Sequence, residues 1–222
     1  MDFELARTRM VDNQIRTTDV TSHPVLQAFL SVAREDFVPS NMRELAYIDD
    51  DIRIASGQDG SPDRFLMEPS PLAKLLQLAG VKKSDVVLEI GCGTGYVSAL
   101  LSLLADSVVA LESDPSLAET AAESLSRLGY DNVAVVTGNL ADGYKPEAPF
   151  DVIFVGGAVE VLPQALFDQL RDGGRLVVVE GTGNASKAKL YVCEGGHTSA
   201  RRGFNTSVKP LPGFEKETEF SF

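Results

Sequence analysis

The chain has 222 residues, 44% hydrophobic and 23% charged, with a formal net charge of −12. That length suits one ordinary globular domain with a peripheral extension, and the acidity makes nucleic acid an unexpected partner, because phosphate binding draws on cationic contacts. No apolar run nears the ~20 residues of a membrane span, and Met1-Asp-Phe-Glu4 does not open like a secretory signal, so no membrane association and a cytoplasmic location are expected.

Residues 1–70 read as an N-terminal helical cap with a loop on the substrate side. Leu5, Met10, Val11 and Ile15 fall near one helical face, and Ser22 is placed to cap a helix carrying Val25, Leu26, Phe29 and Leu30. Gly57 to Asp63 is a loop by composition, and Ser70-Pro71 opens the helix that leads into the first strand. From there, residues 71–222 read as the main domain. Short apolar runs at Val86–Ile90, Val108–Leu111, Val133–Val136, Val152–Val155 and Leu176–Val179 alternate with helical patterns. One helix runs through Ala99, Leu100, Leu103 and Leu104. A second opens at Asp114-Pro115, an N-cap followed by a first-turn proline, and a third follows Pro163. Apolar strands alternating with helices predict a doubly wound, mostly parallel α/β sheet of Rossmann-like type. At the end, Lys189–Cys193 and Thr206–Val208 are separated by glycines rather than by a helix, which predicts an antiparallel hairpin. Lys187, Lys189, Arg201 and Arg202 then read as charges on a solvated sheet edge. Cys92 and Cys193 are too few for a disulfide framework, and His23 and His197 lie too far apart to suggest a metal site.

The chemistry is concentrated in Val86-Val-Leu-Glu-Ile-Gly-Cys-Gly-Thr-Gly-Tyr96. Gly91, Gly93 and Gly95 follow a strand and lead into a helix, at the carboxyl end where open α/β sheets bind ligands. A dinucleotide fingerprint needs glycine where Tyr96 stands, and a P-loop needs a lysine that is absent between Gly91 and Val108. Glu89 instead places an acid at the strand end, suited to the ammonium and sulfonium of S-adenosylmethionine. Glu112 ends the second strand about 20 residues after the loop, the spacing at which a carboxylate accepts from ribose hydroxyls. Asn139 can offer an amide to the adenine edge, and Leu140 can pack on the ring. The candidate cofactor set is therefore Glu89, Gly91, Cys92, Gly93, Gly95, Glu112, Asn139 and Leu140. No catalytic residue is singled out and no metal is expected.

Several stretches of the chain carry a family resemblance. Arg9-Met-Val-Asp-Asn-Gln-Ile-Arg16, Val25-Leu26, Phe37-Val-Pro39, Ala46-Tyr47, Val87–Tyr96, Leu128–Val133, Phe150–Ile153 and Asp172–Val177 resemble the protein-L-isoaspartate O-methyltransferases. The resemblance implies transfer of methyl from S-adenosylmethionine to the misplaced carboxylate of isoaspartyl residues, in protein repair. The implied partner is a protein or peptide bearing that carboxylate. The family's Gly-Gln-Thr-Ile-Ser-Gln-Pro-like segment departs here to Arg64-Phe-Leu-Met-Glu-Pro69, with Met67 at the serine position. A thioether cannot donate a hydrogen bond. Gly57-Gln58 resembles the start of the motif but is followed by an inserted Asp59-Gly-Ser-Pro62, in which Ser61 offers an alternative hydroxyl. Asn139 stands where the family usually has aspartate. The other expectations open to this sequence are a methyltransferase of the same fold acting on a different peptide, a small molecule or RNA, and a cofactor-binding module without catalysis.

Overall fold

The computed structural model describes residues 1–57 and 61–216. Seven strands form one sheet: β3 (Val86–Ile90), β4 (Ser107–Glu112), β5 (Val133–Thr137), β6 (Phe150–Val159), β7 (Leu170–Glu180), β8 (Lys187–Glu194) and β9 (His197–Asn205). Their order is β5-β4-β3-β6-β7-β8-β9. The first five are parallel, and β8 and β9 finish the sheet antiparallel. The chain runs outward from β3 to β5, then returns to the other side of β3 as β6, so the switch point lies between β3 and β6. In open α/β sheets that crevice receives the ligand.

Each strand of the sheet's centre is apolar on both faces because helices cover both. Val87, Val108 and Ala110 join one core with the N-terminal elements, while Leu88, Ile90 and Leu111 join the other. The period of two along a strand then puts Glu89 on the face of Val87 and Glu112 on the face of Ala110. Both acids thereby lie under the N-terminal segment. Helix α3 (Pro69–Ala79) leads into β3, α4 (Tyr96–Ser102) follows the glycine loop, and α5 (Pro115–Arg127) joins β4 to β5. Asp114 caps α5 by accepting from the Ser116 and Leu117 N–H groups, as its position before a proline predicts. Among the described residues no helix is long and apolar enough to cross a membrane.

Four expectations are corrected. The cap is not all helix: α1 (Phe3–Met10), its π-helical continuation Val11–Ile15 and α2 (His23–Ser31) are followed by an antiparallel hairpin of β1 (Ile52–Ala55) and β2 (Arg64–Leu66). Strands of four and three residues, carrying Arg53 and Arg64, are too short to show an alternating pattern. Leu5 does not share the buried face of Met10, Val11 and Ile15 but is 45% exposed. Ser22 occupies the N-cap of α2 without a side-chain capping bond, and its N–H donates to Gln77 instead. The last strand is β9, and Thr206–Val208 runs on irregularly after it. Strand β9 is solvated along almost its whole length, so it carries no apolar alternation to read. Gln58, Asp59 and Gly60 of the inserted loop lie outside the described residues.

Candidate functional site

The residues singled out in the sequence converge at the carboxyl ends of β3, β4 and β5. A cleft of about 600 Å³ opens there, lined in part by Ser113, Asp114, Asn139, Leu140, Ser61 and Arg64. The Asn139 side-chain oxygen accepts from the Ala141 N–H, which leaves its NH2 as the group available to a ligand. Leu140 beside it is buried.

The glycine loop spends most of its N–H groups inside the fold. Gly91 and Cys92 donate to the Leu111 carbonyl at 2.8 and 3.2 Å, Gly93 to Glu112 Oε2 at 2.8 Å, and Gly95 to the Cys92 carbonyl at 3.0 Å. Phosphate-cradling loops turn such donors outward; this one does not, and its remaining polarity is that of carbonyls and acids, which suits a cation. Gly93 has φ +57°, and a Cβ there would stand 2.7 Å from Ile54 Cδ1, so the hairpin packs directly on the loop. Gly156 approaches from the other side, where a Cβ would lie 3.1 Å from the Gly91 carbonyl oxygen. The pairing of β6 with β7 slips between Phe154 and Ala158, and Gly156-Gly157 bulge at that slip beside the loop. The apolar run Val152–Val155 reads as a complete strand by itself and hides this bulge.

Cys92 is buried, and burial pushes its thiol well above the ordinary range, so it acts as a small apolar loop residue rather than a nucleophile. Glu89 is wholly buried; Ser98 Oγ donates to its Oε2 at 2.5 Å, and its Oε1 has no hydrogen-bond partner. Burial pushes its carboxyl up to about 8, against a partial opposing effect of the Ser98 hydroxyl. An orphaned oxygen on a buried acid beside the crevice fits a ligand that arrives carrying positive charge.

The neutral Glu89 has a consequence for stability. An unfolded glutamate ionises near pH 4.3, whereas the folded protein keeps this proton until about pH 8. Between those values the unfolded state binds fewer protons, so the contribution of Glu89 to stability falls as pH rises and levels off above the folded value. Urea unfolding between pH 5 and 9 is expected to show a shallower decline in Glu89→Gln than in the wild type. Equal slopes in the two proteins would show that Glu89 is ionised in the fold.

Glu112 is saturated. It accepts from Gly93, Ser113 and Asp114 N–H groups at 2.8, 2.8 and 3.1 Å, and Arg64 grips both of its oxygens, Nη1 at 2.5 Å and Nη2 at 2.8 Å. The spacing of Glu112 was legible in sequence; Arg64, 48 residues earlier in the chain, carried no signal. Nor did Ile54 or Leu211, whose side chains close on Gly93 and Gly91.

The N-terminal residues that carry the resemblance hold the loop from behind. Thr94 Oγ1 donates to the Phe37 carbonyl at 2.5 Å, and the Phe37 ring meets Tyr96 edge-on at 5.8 Å. Tyr47 donates to Glu35 and accepts from Arg7 Nε at 3.0 Å. Arg34, fully buried, donates to the Ala46 carbonyl at 2.7 Å and the Met67 carbonyl at 2.8 Å while stacking over Tyr96. Met67 lines a narrow recess with Asp51, Arg64, Phe65, Gly156, Lys209 and Leu211. Ser61 lies on the cleft and not on this recess.

The chain is similar to known proteins along most of its length. The family model described as Protein-L-isoaspartate(D-aspartate) O-methyltransferase matches residues 6–211. A Protein-L-isoaspartate O-methyltransferase of Koribacter versatilis is 41% identical over 81% of this chain and 78% of its own. One from Petrotoga mobilis is 34% identical over 96% of this chain and 98% of its own. A solved protein-L-isoaspartate O-methyltransferase structure superposes with a TM-score of 0.79 at 28% identity, covering 93% of this chain and 66% of that one. A Plasmodium falciparum structure in complex with S-adenosyl-L-homocysteine gives a TM-score of 0.77 over 92% of this chain and 97% of that one; at 22% identity it speaks for the fold alone.

Proposed function

Because the chain belongs to the protein-L-isoaspartate(D-aspartate) O-methyltransferase family of S-adenosylmethionine-dependent enzymes, we propose that it esterifies the free α-carboxylate of isoaspartyl residues in proteins and peptides. The observation that carries the reading is the pair of buried acids, Glu89 and Glu112, set about a glycine loop whose Gly91, Cys92, Gly93 and Gly95 N–H groups are already bonded within the fold. That arrangement favours a cationic, phosphate-free ligand over a nucleotide phosphate.

In this reading Glu112 receives the ribose hydroxyls, Asn139 and Leu140 meet the adenine, and Glu89 faces the positively charged methionine end. Gly91, Cys92, Gly93 and Gly95 shape the floor. When bound, S-adenosylmethionine supplies an electrophilic methyl group on a sulfonium. The chain's own task is then modest. An isoaspartyl carboxylate is anionic at pH 7 and needs no strong base, so alignment and exclusion of water carry most of the acceleration. Phe65, Met67 and Leu211 give the otherwise charged recess one apolar wall, which supports that role.

The test is to incubate the protein with methyl-labelled S-adenosylmethionine and paired peptides that differ only in isoaspartyl against aspartyl linkage. A base-labile methyl ester on the isoaspartyl peptide is expected. Label on neither peptide, or equally on both, would overturn the assigned acceptor; transfer to RNA or a small molecule would place the protein with a different substrate.

A further inference from the structure

Six donors converge on the Glu112 carboxylate, which offers about four lone-pair sites. A ribose diol therefore cannot bind there unless something leaves. Three of the donors are backbone N–H groups of Gly93, Ser113 and Asp114, fixed by the glycine loop and the end of β4. A fourth is the Ser113 hydroxyl, 3.3 Å from Oε1 alone, and the other two belong to Arg64, on a rotatable side chain that comes from the β1–β2 hairpin. Of the two side chains, only Arg64 holds both oxygens, so Arg64 is the group that must move.

Its position says where it can go. Arg64 lines both the large cleft with Asn139 and the narrow recess with Met67. It stands three residues before Met67, and its side chain is only 8% exposed. A guanidinium that loses its carboxylate in so buried a place needs another anion. The recess holds Asp51, already 4.0 Å from the Lys209 ammonium. The acceptor that the enzyme must seat there is itself a carboxylate, and the planar fork of arginine matches one with two hydrogen bonds.

We propose that Arg64 is an exchangeable latch joining the two halves of the site: the cofactor ribose takes Glu112 from it, and the freed guanidinium then grips the acceptor carboxylate. This rests on the assignment of Glu112 to the ribose. Arg64 thereby supplies the donor that Met67 cannot, and the acceptor site is completed only after the cofactor has bound. Because the ion pair competes with the ribose, the measured cofactor affinity is reduced by the fraction of molecules in which the latch is free.

Calorimetry with S-adenosylhomocysteine, together with peptide kinetics at saturating S-adenosylmethionine, tests this in Arg64→Gln, Arg64→Lys and Arg64→Gln/Met67→Ser. Arg64→Gln is expected to bind S-adenosylhomocysteine about tenfold more tightly and to raise the KM for an isoaspartyl peptide about tenfold, with a smaller change in kcat. Arg64→Lys keeps the charge without the fork and should fall between the two; should Arg64→Gln fail to fold, as its melting curve will show, Arg64→Lys alone decides. Adding Met67→Ser to Arg64→Gln should recover part of the KM. Unchanged or weaker S-adenosylhomocysteine binding in the arginine variants would refute the competition, and an unchanged peptide KM would refute the delivery to the acceptor. Glu112→Gln separates the two levels: if it binds S-adenosylhomocysteine like the wild type, the ribose assignment itself has failed.

Discussion

Glu112→Ala is expected to lose cofactor affinity and fold stability together. Removing the acceptor proposed for the ribose hydroxyls should cost roughly 1–3 kcal/mol of S-adenosylhomocysteine binding, or about 5- to 150-fold in Kd. The same change strands the Arg64 guanidinium, whose two nitrogens both rest on Glu112 in the buried interior. Breaking a buried ion pair by removing one partner typically costs about 3–5 kcal/mol. For a chain of this size each kcal/mol moves the melting temperature by roughly 2–4 °C, so a fall of roughly 6–20 °C is expected. Three backbone donors also point at the vacated space, which adds to the loss. Glu112→Gln retains the shape and one acceptor and should lie between the wild type and alanine. Calorimetry and thermal melting check both effects. A wild-type melting temperature in Glu112→Ala would show that the Arg64 pair contributes nothing net, and a wild-type Kd would show that the ribose binds elsewhere.

Arg34→Ala is expected to be comparably severe, through hydrogen bonding rather than a paired charge. Arg34 ties the Ala46 carbonyl to the Met67 carbonyl and fills the space above the Tyr96 ring, 4.8 Å from its centroid. Truncation leaves two buried acceptors unpaired, at about 1–3 kcal/mol each, and opens a cavity where the side chain lay. A total near 4 kcal/mol is expected from urea unfolding. Arg34→Met separates the contributions, because it restores volume without donors: a partial recovery relative to alanine is expected. Full recovery would show that packing alone matters at this position. Since the Met67 carbonyl is one of the two acceptors, the same variants should raise the peptide KM by loosening the wall of the recess. Cofactor affinity should change less, as neither bonded carbonyl lines the large cleft.

The local part of this site was readable in the chain itself. A run of apolar residues ending in Gly-Cys-Gly-Thr-Gly must leave a strand, turn sharply and start a helix, and a strand's period of two decides which face Glu89 and Glu112 share. Asp114-Pro115 and the spacing to Glu112 and Asn139 are likewise determined within a few residues of each position. The family-specific stretches Arg9–Arg16 and Phe37–Pro39 were legible as a pattern, although their physical task was not. Only the fold shows Phe37 receiving the Thr94 hydroxyl and supporting Tyr96.

Tertiary structure alone decided the rest, because the deciding contacts join residues far apart in the chain. Arg64 meets Glu112 across 48 positions, Arg34 meets Met67 across 33, and Thr94 meets Phe37 across 57. The hairpin carrying Arg64 has strands too short to print a hydrophobic period, so neither its existence nor its aim could be read locally. The protonation of Glu89 depends on how completely the surrounding helices and strands remove it from water, a property of the packed core and not of any neighbour in sequence. Sequence therefore determined the loop, the strand ends and the kind of ligand they suit. Which of those groups are already occupied, and by what, was settled by long-range packing, because a side chain reveals its partner only once the fold has brought the two together.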